Sequence, residues 1–171
     1  MNMECTSCSS ECKPANPWPK SQSFITMGTA TAAWLLGLYA IAREKPKKLP
    51  AYLAASIVIM TISRKALCAR CPFYGKNCSM LIGKWAPLLY ERSDKPLTRW
   101  SFIQDGLVGN FLFTYPLPEL WKRSPRLFLA YQVALQSFLG IAVFRGCTRC
   151  PLEVCPVNRT LGKLGMKKNS G

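Results

Sequence analysis

Two stretches of this sequence carry the same cysteine pattern, and each follows a long apolar segment. The first is Cys-Ala-Arg-Cys-Pro, beginning at Cys68, and the second is Cys-Thr-Arg-Cys-Pro, beginning at Cys147. Cysteines two residues apart can direct both sulfurs at one metal from a tight turn, as in iron–sulfur clusters and Cys-only zinc sites. The pattern therefore predicts a thiolate-ligated metal site at the end of each apolar segment.

All nine cysteines belong to groups of this kind. A third cysteine follows each pair, and a further triplet precedes the first apolar segment. The predicted ligands are Cys5, Cys8 and Cys12 in the amino-terminal triplet, Cys68, Cys71 and Cys78 in the first motif, and Cys147, Cys150 and Cys155 in the second motif. No cysteine is left over as an isolated core residue, so the thiols as a set are expected to serve metal binding or redox chemistry.

The absence of histidine from the sequence restricts the metal centre. It excludes a His-ligated haem, a Rieske centre and a His-containing zinc site. Iron–sulfur clusters, a four-cysteine zinc site, disulfides and a redox-active dithiol remain open. Clusters are favoured because proline directly follows Cys71, Cys150 and Cys155, and a Cys-Pro step turns the chain away from a cluster, as in bacterial ferredoxins.

Each group offers three thiols, whereas a 4Fe-4S cluster normally takes four. The simplest assignment is two 4Fe-4S clusters, one on each motif, with the fourth ligands supplied by the amino-terminal triplet. Three clusters with an open iron each are the other assignment. Arg70 and Arg149, inside the motifs, suit the negative charge of a cluster, and they equally suit a position beside lipid head groups.

Four apolar segments are long enough to cross a bilayer, which takes about 20 helical residues. The chain is 49% hydrophobic and carries a net charge of +15 that is concentrated in the connections. A soluble helical bundle with basic edges is the competing interpretation. We expect an all-α integral membrane four-helix bundle with crossings approximately at residues 24–42, 49–67, 101–117 and 127–144.

Four crossings place the three cysteine groups on one face of the membrane. That face carries the larger share of the basic residues, and reduced thiols and clusters persist in the cytosol. We therefore expect a multi-pass protein whose cysteine face and both termini are cytoplasmic. The residues before the first apolar segment are polar, so a cleavable signal peptide is not expected and the first crossing acts as the anchor.

The two halves of the chain are similar to each other. Each is a predicted helical hairpin that ends in a cysteine motif, and a Gly-Lys pair follows each motif at the same distance, at Gly83 and Gly162. This indicates a duplicated two-helix unit. The predicted divisions are a Cys-rich segment at 1–23, a first hairpin at 24–85, a surface loop at 86–100, a second hairpin at 101–165 and a basic tail at 166–171.

The third apolar segment contains polar residues, including Gln104 and Asp105. Polar side chains are costly in hydrocarbon, so by default they face the bundle interior or water. The pair is a candidate quinone or proton site, in which Asp105 accepts a proton. A position at the cysteine-side interface is the alternative for Asp105.

The Cys-x-x-Cys-Pro motifs at 68–72 and 147–151, placed behind crossing helices, resemble those of the membrane part of polyferredoxin-type quinol dehydrogenases. Those proteins hold Cys-Pro motifs at the cytoplasmic ends of a four-helix core. Their paired cysteines are typically three residues apart and a ferredoxin domain usually follows, and this sequence has neither feature. The resemblance implies electron transfer at a membrane surface.

We therefore expect a membrane-anchored electron-transfer protein with two 4Fe-4S clusters, acting as a subunit of a larger redox complex rather than as a complete enzyme. Its expected partners are the lipid bilayer, other subunits, and a soluble ferredoxin-like donor attracted to the basic face or a membrane quinone. Nucleic acid is not an expected partner, because no recognition motif is present. Two alternatives stay open: a quinone-coupled thiol/disulfide oxidoreductase similar to vitamin K epoxide reductase, and a zinc-stabilised membrane scaffold or assembly factor.

Overall fold

The computed structural model of the chain describes residues 3–4, 13–14, 18–150, 152 and 154–166. Its α-helices are α1 Lys20–Glu44, α2 Leu49–Val58, α3 Arg64–Cys68, α4 Ile82–Leu89, α5 Arg99–Thr114, α6 Leu117–Arg123, α7 Pro125–Ile141 and α8 Pro156–Lys163. Two 3-10 turns lie at Pro46–Lys48 and Cys147–Arg149, and two π-helical turns at Ile59–Ser63 and Ala142–Gly146. Two-residue strands, β1 Met3–Glu4 and β2 Lys13–Pro14, pair antiparallel. The prediction of a helical protein is confirmed.

In the described part of the chain, three uninterrupted helical runs are long and apolar enough to cross a membrane, judged by length and composition alone. They are Lys20–Glu44, Pro46–Cys68 and Pro125–Arg149. The second run joins α2 to α3 through a π turn, and the third extends α7 through a π turn and a 3-10 turn. These runs cover the first, second and fourth predicted crossings.

The segment predicted as the third crossing has a different structure. Helix α5 ends at Thr114 and α6 begins at Leu117, so each is shorter than the about 20 residues that a straight crossing takes. The interruption coincides with Pro116 and Pro118, which cannot donate a backbone hydrogen bond. Tyr115 and Pro116 nevertheless keep helical dihedral angles, so α6 follows α5 after a short turn.

Helix α1 lies at the centre of the packing. It packs along α7 and against α6, while the second long run packs against α5. At Gly37 an added Cβ would lie 2.8 Å from the Tyr52 hydroxyl and 3.0 Å from Cγ of Pro116. Only glycine permits this close approach of α1 to its neighbours.

The outward surfaces of the three long runs are apolar. Ile57, Ile62 and Val133 each expose more than 60% of their area, and Phe24 and Leu129 are similarly exposed. Soluble monomers rarely expose apolar surface of this extent. The distribution favours a lipid environment over the soluble bundle considered above.

Two ion pairs join the elements at the end of the bundle where α1 meets α2. Glu44, the last residue of α1, accepts a hydrogen bond from Arg123 of α6 at 2.7 Å. Lys48, in the connecting 3-10 turn, donates to Glu119 of α6 at 2.7 Å. The carboxylate of Glu119 is almost fully buried, so Lys48 balances a charge that has little access to water.

Candidate functional site

The first cysteine motif forms a compact loop between α3 and α4. Cys68 is the last residue of α3, and the N–H of Gly75 donates to the carbonyl of Gly83 in α4 at 2.9 Å. The thiols of Cys68, Cys71 and Cys78 are near enough to interact electrostatically. Burial raises the pKa of the Cys71 thiol, because an apolar surrounding disfavours the thiolate.

Gly83 lies tightly against this loop. Its N–H donates to Sγ of Cys78 at 3.2 Å, and an added Cβ would lie 2.8 Å from the carbonyl oxygen of Lys76. Backbone N–H groups that point at sulfur stabilise a thiolate and raise the reduction potential of a cluster. Glycine is therefore required at position 83, because any side chain would prevent this close approach of α4 to the cysteine loop. This explains the glycine of the Gly-Lys pair in the first half of the chain.

The second cysteine motif is organised around Asn158 of α8. Its Nδ2 donates to the carbonyls of Cys150 and Leu152, both at 2.7 Å. Cys147 begins the 3-10 turn and Cys155 directly precedes α8. The Cys147 thiol interacts electrostatically with Cys155 and Cys150, so this triplet is also gathered in one region.

The two motifs lie beside each other near the start of α1. Nε1 of Trp18 donates to the carbonyl of Gly146 at 3.1 Å, and the Trp18 ring packs edge-on against Phe73 with centroids 4.8 Å apart. Ser23 donates to the carbonyl of Cys78 at 2.7 Å. A Cβ at Gly146 would lie 3.0 Å from Cβ of Ser79. Residues just before the second motif thus contact the first motif directly.

The amino-terminal triplet, Cys5, Cys8 and Cys12, lies outside the described residues, so its predicted role as the source of fourth ligands stays a prediction. Within the ranges that the structure describes, no group of three or more Cys, Asp or Glu side chains is close enough to hold one metal ion. Each described triplet supplies soft thiol donors suited to iron–sulfur or zinc binding.

A cavity of about 690 Å³ lies between the helices, next to the first motif. Its walls are mainly apolar and come from α1, α5, α7 and the second long run. Trp34 lines it and donates to the hydroxyl of Ser56 at 2.9 Å. Gly106 and Gly109 also line it, and an added Cβ at Gly106 would meet no atom within 4 Å.

One charged pair lies in this cavity. Nε of Arg64 is 3.4 Å from Oδ1 of Asp105, and both side chains are more than four-fifths buried. Both atoms are buried and have no hydrogen-bond partner among the residues that the structure describes, so the two charges attract each other without an aligned hydrogen bond. Nη1 of Arg64 points to Sδ of Met80 at 3.7 Å. Arg64 and Asp105 also interact electrostatically with the thiol of Cys68, which places the cavity beside the first motif.

The structure separates the two polar residues singled out in the third segment. Asp105 lines the cavity, whereas Gln104 is exposed and is not part of its wall. Sequence reasoning did not identify Arg64 as a cavity residue, since a basic residue near the end of an apolar run is typical of head-group contact. Only its distance to Asp105 reveals its position.

Helix α4 presents two different faces. Ile82, Gly83 and Ala86 are buried, and Gly83 contacts the first motif. Trp85 and Leu88 are exposed, the latter by 84%. The helix therefore covers the cysteine loop with one face and leaves an apolar face open. Exposed tryptophan and leucine on a short amphipathic helix suit the membrane–water interface.

Comparison with protein-family models, with curated proteins and with solved structures found no match to this chain.

Proposed function

We propose that this protein is a membrane-anchored electron-transfer protein that holds two 4Fe-4S clusters beside each other at one end of its helices. The observation that carries the proposal is the contact between the two cysteine motifs through Trp18, Gly146 and Ser79. Electrons pass rapidly only between centres that lie close together, so neighbouring clusters serve transfer better than isolated ones. The protein would act as one subunit of a larger redox complex.

In this proposal Cys68, Cys71 and Cys78 hold one cluster, and the second motif holds the other. The amino-terminal triplet completes both ligand sets. When bound, such a cluster supplies reversible one-electron transfer. The chain's own contribution around the first motif is the N–H of Gly83 directed at Cys78 and the partial burial of Cys71. Both would influence the charge and hydration of the sulfurs.

The proposed membrane arrangement has four crossings, with α5 and α6 together forming the third as a proline-interrupted helix. The motif end is strongly basic and includes Lys65, Arg70 and Lys84. Positive charge near a cytoplasmic interface agrees with the distribution found in membrane proteins. It would also attract an acidic soluble donor such as a ferredoxin to the clusters.

We further propose that the cavity beside the first motif holds a quinone. Its apolar walls suit the ring, and Nε of Arg64, which makes no hydrogen bond to any described residue, can donate to a ring carbonyl. In this proposal Asp105, which lines the cavity, exchanges a proton with the bound ring. Because Trp34 lines the cavity, a bound quinone is expected to quench its fluorescence.

The clusters are tested on protein purified without oxygen in detergent. Iron, acid-labile sulfide and zinc are measured per chain, and the absorption spectrum is recorded before and after dithionite. About eight irons, equal sulfide and bleaching near about 400 nm support the two-cluster carrier. Zinc without iron refutes it and favours the scaffold, and the absence of both metals favours thiol/disulfide exchange.

The quinone site is tested by titrating a short-chain ubiquinone against tryptophan fluorescence. Gly106→Leu fills the cavity and should weaken binding by about tenfold or more, which corresponds to about 1.4 kcal/mol. Gly28→Leu is the matched control, because Gly28 is an exposed helical glycine with open space around it and lies outside the cavity. Equal binding to both variants would refute the cavity as the site.

A further inference from the structure

A second cleft, distinct from the cavity, opens on the other side of the second long run. It has a volume of about 570 Å³ and lies between the end of that run and the residues that follow α4. Two contacts hold its walls together: the Tyr90 hydroxyl donates to the carbonyl of Met60, and the N–H of Ser93 donates to the carbonyl of Ala69 at 2.9 Å. One side-chain hydrogen bond and one backbone hydrogen bond therefore preform the cleft.

The cleft is apolar at one end and cationic at the other. Ile62 and Leu89, exposed by 66% and 61%, form apolar wall. Lys65 lies one helical turn beyond Ile62 on the same face, and Arg70 lies further toward the cysteine loop. The cleft thus changes from apolar to charged along the helix, toward the proposed bilayer surface. An amphiphile aligned with the helix axis would place its apolar chain on the first part and its charged head group on the second.

The charges of the cleft are available to a ligand. In the part of the chain that the structure describes, neither Lys65 nor Arg70 forms an ion pair within 4.0 Å. Among the described residues of the lining, Glu91 is the one carboxylate, so two cations and one anion leave this lining positive. A phosphodiester group can accept hydrogen bonds from both cations, and a hydroxyl group beyond the phosphate can donate a hydrogen bond to Glu91.

We propose that this cleft binds one anionic phospholipid, with its phosphate between Lys65 and Arg70 and an acyl chain along Ile62 and Leu89. Phosphatidylglycerol has the required single negative charge and the required head-group hydroxyls. Free phosphate fits the chemistry of the cations but leaves the apolar wall and most of the volume unfilled. The proposal rests on the proposed membrane insertion and is independent of the metal content.

The test is native mass spectrometry of the full chain in detergent, titrated with phosphatidylglycerol or phosphatidylcholine. One phosphatidylglycerol should bind preferentially. Lys65→Gln combined with Arg70→Gln should weaken this binding by about thirtyfold, from the contribution of about two surface cations. Lys47→Gln combined with Arg126→Gln is the matched control, because it removes the same charges from exposed positions outside the cleft.

Equal binding of the two lipids, or equal loss in both double variants, would overturn the proposal. Displacement of the lipid by millimolar inorganic phosphate alone would identify a phosphate site and would also overturn it. Lys65→Arg combined with Arg70→Lys should retain binding, which separates loss of charge from loss of fold. Iron measured on the same samples reports separately on the electron-transfer proposal.

Discussion

The indole N–H of Trp18 donates a hydrogen bond to the carbonyl of Gly146 across 128 positions of sequence, at 3.1 Å. This contact joins the segment before α1 to the residue that precedes the second cysteine motif. The same indole ring packs against Phe73 of the first motif. Trp18 therefore connects both motifs, although it lies in neither.

Replacing Trp18 by phenylalanine removes the hydrogen bond and keeps an aromatic ring beside Phe73. We expect Trp18→Phe to lower the free energy of unfolding by about 1 kcal/mol, since the Gly146 carbonyl loses its donor. The loss should appear as a lower midpoint of thermal unfolding in detergent, followed by circular dichroism. Trp100→Phe is the control, because Trp100 is exposed and its replacement should change stability by less than about 0.5 kcal/mol. Equal effects would show that the contact does not stabilise the fold.

The two repeated Gly-Lys pairs should respond differently to alanine. Gly83→Ala places a Cβ 2.8 Å from a backbone oxygen, so we expect a loss of about 1–3 kcal/mol from forced displacement. At Gly162 an added Cβ meets nothing within 4 Å, and alanine should be neutral or stabilising by up to about 1 kcal/mol through helix propensity. The midpoints of thermal unfolding of the two variants are compared with that of the unmodified protein. Similar midpoints for the two variants would contradict the close approach at Gly83.

Each motif should account for half of the bound iron. Cys71→Ser and Cys150→Ser should each lower iron from about eight to about four per chain, because serine is a poor ligand for a 4Fe-4S cluster. The combined variant should retain almost none. Thr148→Ser, a change inside the second motif that leaves every thiol in place, serves as the control. Loss of all iron in either single variant would instead indicate one centre shared by both motifs.

Lys48 should be more important for stability than its neighbour. Lys48→Met leaves the buried carboxylate of Glu119 without its ion pair, and an unpaired buried charge is costly. We expect the midpoint of thermal unfolding to fall by several degrees. Lys47→Met, an exposed residue in the same turn, should change it by about one degree or less. Equal midpoints would show that water reaches Glu119 when Lys48 is absent.

Three of the four predicted helical segments agree with the structure, because long apolar runs determine helices locally through hydrogen bonds within the segment. The third segment differs because Pro116 and Pro118 end α5 before it spans a bilayer. Both prolines are present in the sequence, but the packing of the short helix α6 against α1 is seen only in the structure. The repeat was visible as well, whereas the unequal surroundings of Gly83 and Gly162 were not.

The sequence by itself determined the grouping of the cysteines, the exclusion of histidine-ligated centres and the positions of the long apolar helices. These properties depend on residue type and on spacing along the chain. Only the tertiary structure decided that the two motifs meet around Trp18, that Arg64 lies 3.4 Å from Asp105 beside a cavity, and that Gly83 points its N–H at Cys78. Such contacts join different elements or depend on how a loop closes, and side-chain packing in three dimensions, rather than local periodicity, selects them.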